Sequence, residues 1–176
     1  MAVDRRGTIG WFSPDPRAVI PLDERFHVPH GLHRTLKKKT FEVTFDLDFK
    51  EVIRACAKSH GLTWISPEIV ESYCALHRLG HAHSVETRDA EGKLAGGLYG
   101  VHIGGAFFGE SMFHGQTDAS KVALVALVKR LCEREFQLLD TQWTTPHLKR
   151  FGAHEIPRAD YIRMLRRAVA KKCEFV

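Results

Sequence analysis

Asp140 and Gln142 stand two residues apart in Leu139-Asp140-Thr141-Gln142, a stretch with strand character. Residues at that spacing share one face of a strand, so a carboxylate and a carboxamide are expected to project together. A carboxylate so placed orients the amide, whose oxygen then takes a hydrogen bond or a proton from an amine. The same spacing also fits a half-buried polar pair satisfied by backbone groups. Gly109-Glu110-Ser111-Met112-Phe113 is a second candidate. Glu110 and Met112 share the expected strand face, which sets a carboxyl against apolar surface. Burial there raises its pKa or calls for a cationic partner. Gly96, Gly97, Gly100, Gly104, Gly105 and Gly109 crowd the same region. Strand glycines admit a ligand or another backbone, or mark bulges and tight turns. His77, His81 and His83, with Cys74 one turn earlier, form a third cluster. Mixed His/Cys sets suggest zinc, but His81 and His83 fall at the break after Gly80 and no further ligand has recognisable spacing. Structural or surface histidines are expected, and no metal. The chain has no GxSxG elbow, Walker A loop or HExxH pair.

The elements that must position these groups are legible from periodicity. Residues 1–40 are rich in Pro and Gly without a sustained period and read as an extended arm with short strands. Phe41, Val43 and Phe45 alternate as in a half-buried strand. A helix is expected over about 47–59, from Phe49, Val52, Ile53 and Cys56, with Gly61 beyond its end. Ser66-Pro67 is a hydroxyl cap followed by a first-turn proline, and opens a second helix that Gly80 closes. Strands are expected at 82–88, 93–103 and 105–113, joined at Glu91-Gly92 and Gly104-Gly105. That is an antiparallel meander. Asp118 is placed to cap a helix running to about 135, with Leu124, Leu127, Val128 and Leu131 on its stripe. A strand at 137–143, a short helix from Pro146 to Phe151 and a basic helix over about 158–172 follow, the last with Tyr161, Met164, Leu165 and Ala168 inward.

The predicted class is α+β. A meander, then a helix and a further strand, resembles the GNAT-like (acyl-CoA N-acyltransferase-like) fold, here as a catalytic domain over 41–176 with residues 1–40 as a short N-terminal arm. Fold analogy alone does not assign a function. Acyl-CoA-binding members carry a glycine-rich pyrophosphate loop before the helix after the fourth strand. Here Phe113-His114-Gly115-Gln116-Thr117-Asp118-Ala119 has one glycine and places an acid at the helix start, which disfavours coenzyme A.

Composition narrows the partners. The 176 residues are 44% hydrophobic with a formal net charge of +5. No apolar run approaches the roughly 20 residues needed to span a bilayer. No secretory leader is legible, so the cytoplasm is the expected location. Cys56, Cys74, Cys132 and Cys173 form no CxxC pair and are expected as thiols in a reducing compartment. Basic residues gather at Arg34, Lys37, Lys38 and Lys39, at Lys149, Arg150 and Arg158, and at Arg163, Arg166, Arg167, Lys171 and Lys172. Each group alone reads as a solvated surface. Together they fit a phosphate-bearing partner.

Several segments resemble one family in the same order. Trp11-Phe12-Ser13-Pro14-Asp15-Pro16-Arg17 is similar to the W-[WF]-S-P-D-P-R motif of the leucyl/phenylalanyl-tRNA–protein transferases. So are Thr63-Trp64-Ile65, Leu79-Gly80-His81-Ala82-His83-Ser84, Gly96-Gly97-Leu98-Tyr99-Gly100 and Phe108-Gly109-Glu110-Ser111-Met112-Phe113. Ala119-Ser120-Lys121, Leu139-Asp140-Thr141-Gln142, Phe151-Gly152-Ala153 and Glu155-Ile156-Pro157-Arg158 continue the match. The resemblance implies a monomeric GNAT-like enzyme without a cofactor. It would take Leu-tRNA or Phe-tRNA as donor, with Met used less well, and act on proteins beginning with Lys or Arg, marking them for N-degron proteolysis. Asp140 and Gln142 match the family's catalytic pair, and Glu110 a carboxylate near the reacting amino acid. Leu98, Met112, Leu124, Leu127, Leu131 and Leu139 match the pocket for the transferred side chain. Trp11 and Trp64 match tryptophans associated with the terminal adenosine of tRNA. Typical members carry a further segment ahead of the W-[WF]-S-P-D-P-R motif, which here begins at residue 11. An acyl-CoA N-acyltransferase and a non-catalytic tRNA-binding module are the alternatives.

Overall fold

The computed structural model describes residues 10, 12–59 and 63–176. Its centre is one seven-stranded sheet in the order β2-β3-β4-β5-β6-β1-β7. The meander consists of β3 (Ala82–Arg88), β4 (Leu94–Ile103) and β5 (Ala106–His114). The glycines at its turns, Gly92 and Gly104, both have positive φ. β2 (Glu42–Phe45) pairs antiparallel with β3 along one edge. On the other side β6 (Leu138–Gln142) lies parallel to β5. β1 (Arg17–Ile20) runs antiparallel between β6 and β7 (His154–Ile156).

Helices cover both faces. α4 (Ala119–Glu133) crosses one face and carries α1 (His30–Lys37) against it. It packs Val122, Leu124, Leu127 and Leu131 on Leu98, Phe107 and Leu139 of the sheet. On the opposite face α2 (Phe49–Ser59) and α3 (Pro67–Arg78) cover β3–β5 through Val52, Ile53 and Ile69. α6 (Arg158–Ala170) covers β1, β5 and β6 on that face, with Tyr161 and Ala168 packed on Val19, Ala106 and Leu138. α5 (Pro146–Lys149) is a single turn after β6, started by the Thr145 hydroxyl, which accepts from the Leu148 N–H. No helix among the described residues is long and apolar enough to cross a membrane.

Several elements differ from the sequence reading. The segment read as an extended arm with short strands does supply a strand, β1, but in the interior of the sheet, and it also holds α1, a two-turn helix absent from that reading. β7 has too few residues for alternation to show. Asp118 sits at the N-cap of α4 but does not cap it. Its φ is +69° and its carboxylate instead accepts from Lys121 Nζ at 2.6 Å and from Thr35 Oγ1 at 3.1 Å. On α6, Met164 is exposed and Ile162 takes the inward place. Gly61 lies outside the described residues.

Two bulges deform the sheet beside one another. Tyr99 pairs with Ser111 but Gly100 pairs with Gly109, so Glu110 is an extra residue in β5. A Cβ on Gly100 would stand 2.3 Å from the Phe108 carbonyl oxygen, so the close approach at this bulge needs glycine. Ala18 pairs with Gln142 but Val19 pairs with Asp140, which makes Thr141 the extra residue of β6. The parallel β5–β6 pairing covers only Ala106–Leu138, Phe107–Leu139 and Phe108–Asp140. Beyond it the two strands no longer share a ladder.

The three histidines do not form a metal set; among the described residues no group of ligating side chains could hold an ion. His77 Nδ1 donates to the Ala82 carbonyl at 2.8 Å. His83 bridges Asp46 Oδ2 at 2.7 Å and His102 Nδ1 at 2.8 Å, under the stacked ring of Phe175. Burial, then the adjacent His83 and His81, pull the His102 imidazole from 6.5 down to about 4. The unfolded chain therefore takes up a proton before the folded one, and stability falls as pH drops through that window. Urea midpoints should be lower at pH 5 than at pH 7, and His102→Gln should narrow the difference.

Candidate active site

Where β5 and β6 part, an apolar cleft of about 230 Å³ opens. Leu98, Met112, Leu124, Leu127, Leu139 and Leu148 form its apolar wall. Tyr99, Glu110, Ser111, Thr141, Gln142, Thr145 and His147 add the polar groups. An apolar cavity of roughly 150 Å³ admits benzene, so this cleft has room for one large amino-acid side chain. Of the residues expected to form the pocket, Leu98, Met112, Leu124, Leu127 and Leu139 line it. Leu131 lies on the same α4 stripe but is fully buried in the core beyond the cleft. Trp64 is half-buried before α3 and packs on the α2–α3 core, away from the lining. Trp11 lies outside the described residues.

Asp140 and Gln142 come together, though not by sharing a strand face. Asp140 has no solvent exposure and points to the α6 side, where Tyr161 Oη donates to its Oδ2 at 2.5 Å. Arg17 of β1 grips both oxygens, through Nε at 3.0 Å to each and Nη2 at 2.8 Å to Oδ2. The fourth donor is the backbone N–H of Gln142, 2.7 Å from Oδ1. Asp140 thus holds Gln142 by its main chain, and not by its carboxamide as strand alternation suggests. The bulge at Thr141 and a φ of +60° at Gln142 break that alternation.

Gln142 is the centre of a three-residue turn closed by the Trp143 N–H on the Thr141 carbonyl at 2.7 Å. A positive φ there gives the rare, strained form of the γ-turn. Strain of this kind costs on the order of 1–3 kcal/mol and persists only where the surroundings enforce it. The side chain donates Nε2 to the Gly109 carbonyl at 2.9 Å, at the point where the β5–β6 ladder has ended. A carbonyl only accepts, so the amide nitrogen must face Gly109 and the amide oxygen is left as the acceptor.

Glu110, pushed out of register by its bulge, faces the hydroxyls of Tyr73 and Tyr99 and not the Met112 side of the strand. Both residues still line the cleft. Burial raises the Glu110 carboxyl above its usual range; the Tyr73 hydroxyl offsets part of this, and the charge of Asp140 adds to it. The Tyr99 hydroxyl, Thr141 Oγ1 and His147 Nε2 are buried without a partner among the described residues. Unpaired buried polar atoms are uncommon, and these three gather around one cleft. Sequence reasoning missed these three and also Tyr73 and Leu148. Arg17 falls in a motif and Tyr161 on a helix stripe, but nothing local in the sequence joins either to Asp140.

A family model for the leucyl/phenylalanyl-tRNA protein transferases matches residues 19–166. The chain belongs to the leucyl/phenylalanyl-tRNA–protein transferase family. Proteins of that name from Akkermansia muciniphila and Herpetosiphon aurantiacus are similar throughout. The first is 56% identical over 174 residues, covering 98% of this chain and 90% of the relative. The second is 54% identical over 173 residues, again covering 98% and 90%. A transferase of the same name from Rubrobacter xylanophilus is 56% identical over 163 residues, 93% of this chain and 84% of that protein. The transferase family is one of enzymes, and the cleft between β5 and β6 is the candidate site for its chemistry in this chain.

A buried carboxyl whose pKa is raised favours the protonated form on folding, so its ionisation opposes folding as pH rises above the ordinary carboxylate range. Glu110→Gln should therefore raise the urea midpoint at pH 8 while leaving it nearly unchanged at pH 4. An equal shift at both values would mean that Glu110 is not held against its ionisation.

Proposed function

We propose that this chain transfers leucine or phenylalanine, and methionine less well, from aminoacyl-tRNA to the α-amine of a protein beginning with Lys or Arg, marking that protein for N-degron proteolysis. The observation that carries the reading is the Gln142 carboxamide. Its nitrogen is spent on Gly109, and its oxygen is the acceptor beside an apolar cleft sized for one side chain. The donor side chain lies in the cleft against Leu98, Met112, Leu124, Leu127 and Leu139. The acceptor amine donates a hydrogen bond to Gln142 Oε1, which directs its lone pair at the ester carbonyl. A new C–N bond forms, the ester C–O bond breaks, and the amine's proton ends on the terminal ribose oxygen of the tRNA.

An amide oxygen is a weak base, so the role of Gln142 is alignment. The tRNA ester is already activated, and holding amine and carbonyl in contact supplies much of the rate. Asp140 acts by fixing the Gln142 turn. Glu110, with Tyr73, faces the α-amino end of the donor residue. Selection of Leu and Phe over smaller residues rests on the apolar wall, since each methylene contributes only about 1–3 kcal/mol of discrimination. Trp11 and Trp64 are assigned to the terminal adenosine on family resemblance alone.

We also read the fold as GNAT-like: an antiparallel meander, the crossover helix α4 and the parallel strand β6 splaying from β5 support that layout. A coenzyme A donor fits poorly. The Asp118 carboxylate stands at the start of α4, held below the usual carboxylate range chiefly by its hydrogen bond from Lys121, where a pyrophosphate would need bare amides. Exposed Arg34 and Lys37 on α1, and Arg163, Arg166 and Arg167 on α6, suit the phosphates of an acceptor stem.

The test mixes purified protein with labelled Leu-tRNA and peptides beginning with Arg or Ala, and repeats the reaction with acetyl-CoA. Label should appear on the Arg peptide alone. Transfer from acetyl-CoA but not from tRNA would overturn the reading, and tRNA binding without transfer would favour a non-catalytic module. Gln142→Ala and Asp140→Asn should each lower turnover by about 10- to 100-fold while tRNA binding stays within about twofold. Leu127→Ala should cost about 2–5 kcal/mol of stability by urea denaturation, because this wall of the cleft is also core.

A further inference from the structure

We infer that Arg17 and Tyr161 are positioning residues of the transfer reaction, acting through Asp140 to keep the Gln142 carboxamide oxygen facing the cleft. The inference rests on the transfer reading above and extends it to two side chains that meet no substrate.

Asp140 is wholly buried, and an isolated carboxylate there would be far too costly to keep ionised. Arg17 answers with a forked contact to both oxygens, and its guanidinium is itself largely covered, with 14% of the side chain exposed. Tyr161 closes the assembly from α6, donating to Oδ2 at 2.5 Å while its ring lies 5.2 Å from the Arg17 guanidinium carbon. Burial lowers the Arg17 pKa, but the hydrogen bonds and charge of Asp140 outweigh it and leave the group above its ordinary value. Burial and the hydrogen bond to Asp140 likewise push the Tyr161 hydroxyl up. The carboxylate is thus fixed in one orientation by groups that stay protonated.

That orientation matters because of what remains for Oδ1. Besides Arg17 Nε, its other contact is the Gln142 N–H at 2.7 Å, in a turn with φ of +60° that the residue does not favour. Without the ion pair the carboxylate is free to rotate, the hold on the N–H loosens, and the turn relaxes. The carboxamide then leaves Gly109 and its oxygen loses its aim. Neither Arg17 nor Tyr161 lines the cleft, so donor binding is left as it was. The expected signature is a fall in kcat without a rise in KM for aminoacyl-tRNA.

The experiment uses the full chain, Leu-tRNA and a peptide beginning with Arg, and separates kcat from KM for each substrate. Tyr161→Phe should lower kcat by roughly 3- to 10-fold and Arg17→Ala by roughly 10- to 100-fold but no more than Gln142→Ala does, with KM for Leu-tRNA within about twofold. Added guanidinium should restore part of the Arg17→Ala rate and none of the Gln142→Ala rate. Arg17→Ala combined with Gln142→Ala should be no slower than Gln142→Ala alone, because both act through one group. Tyr161→Phe keeps the ring and its packing, so it decides the matter if Arg17→Ala does not fold. Normal kcat in Tyr161→Phe and Arg17→Lys would overturn the inference, as would multiplicative losses in the double variant. Absence of transfer by the unaltered chain would instead remove the transfer reading and this inference with it. A normal rate in Gln142→Ala would remove Gln142 as the group being positioned.

Discussion

The negative charge of Asp140 lies where water does not reach, and its neutralisation organises the half of the sheet that carries the candidate site. Its side-chain donors come from distant parts of the chain, Arg17 near the start and Tyr161 near the end. To deliver the first, β1 must enter the sheet between β6 and β7; to deliver the second, α6 must lie across β5 and β6. A forked guanidinium contact suits a buried carboxylate because planarity and bidentate geometry satisfy both oxygens at once. Removing one partner of such a pair leaves an uncompensated charge, which is far more damaging than the net worth of the pair.

Around that anchor the site separates two kinds of work. Apolar side chains from α4, β4, β5 and β6 provide volume and exclude water. In the proposed reaction one carboxamide, held by the Gly109 carbonyl while a buried carboxylate fixes the backbone N–H of the same residue, provides direction. For that proposed reaction a residue of low intrinsic reactivity is adequate there, because the ester bond to be broken is already energetic and the need is for alignment. The strained turn at Gln142 and the raised carboxyl of Glu110 are both departures from what folding alone would select, and they face one cleft. Such concentrations of unfavourable local features are common at sites of chemistry.

Long periodic elements were legible in the sequence because their reasons are local. α2, α3 and α4 follow from apolar spacing, and the meander follows from alternation broken by Gly92 and Gly104. Ser66 and Pro67 announced α3 through hydrogen-bond and φ chemistry. β1, β7 and α1 are too short for a period to show, and their places are decided by partners far away in the chain. The residue types of the site were recognisable, but their geometry was not. Strand alternation placed Asp140 beside the Gln142 side chain and Glu110 beside Met112; one extra residue in each strand turned both relations around. The α4 stripe gave Leu124, Leu127 and Leu131 equal standing. Only the position where β5 and β6 diverge distinguishes the two that meet the cleft from the one sealed in the core.

That divergence has a consequence for how donor preference can change over evolutionary time. Leu124 and Leu127 serve the cleft and the interior together, so exchanging either for a larger or smaller residue disturbs the packing of the whole α4 face. Met112 and Leu148 border the same cleft but are only partly buried, and Leu148 belongs to a one-turn helix outside the main layers. Lineages adapting to a different aminoacyl group have room to vary at this rim while the α4 wall stays fixed. The part of the site most open to inheritable change is therefore the part that contributes least to holding the protein together.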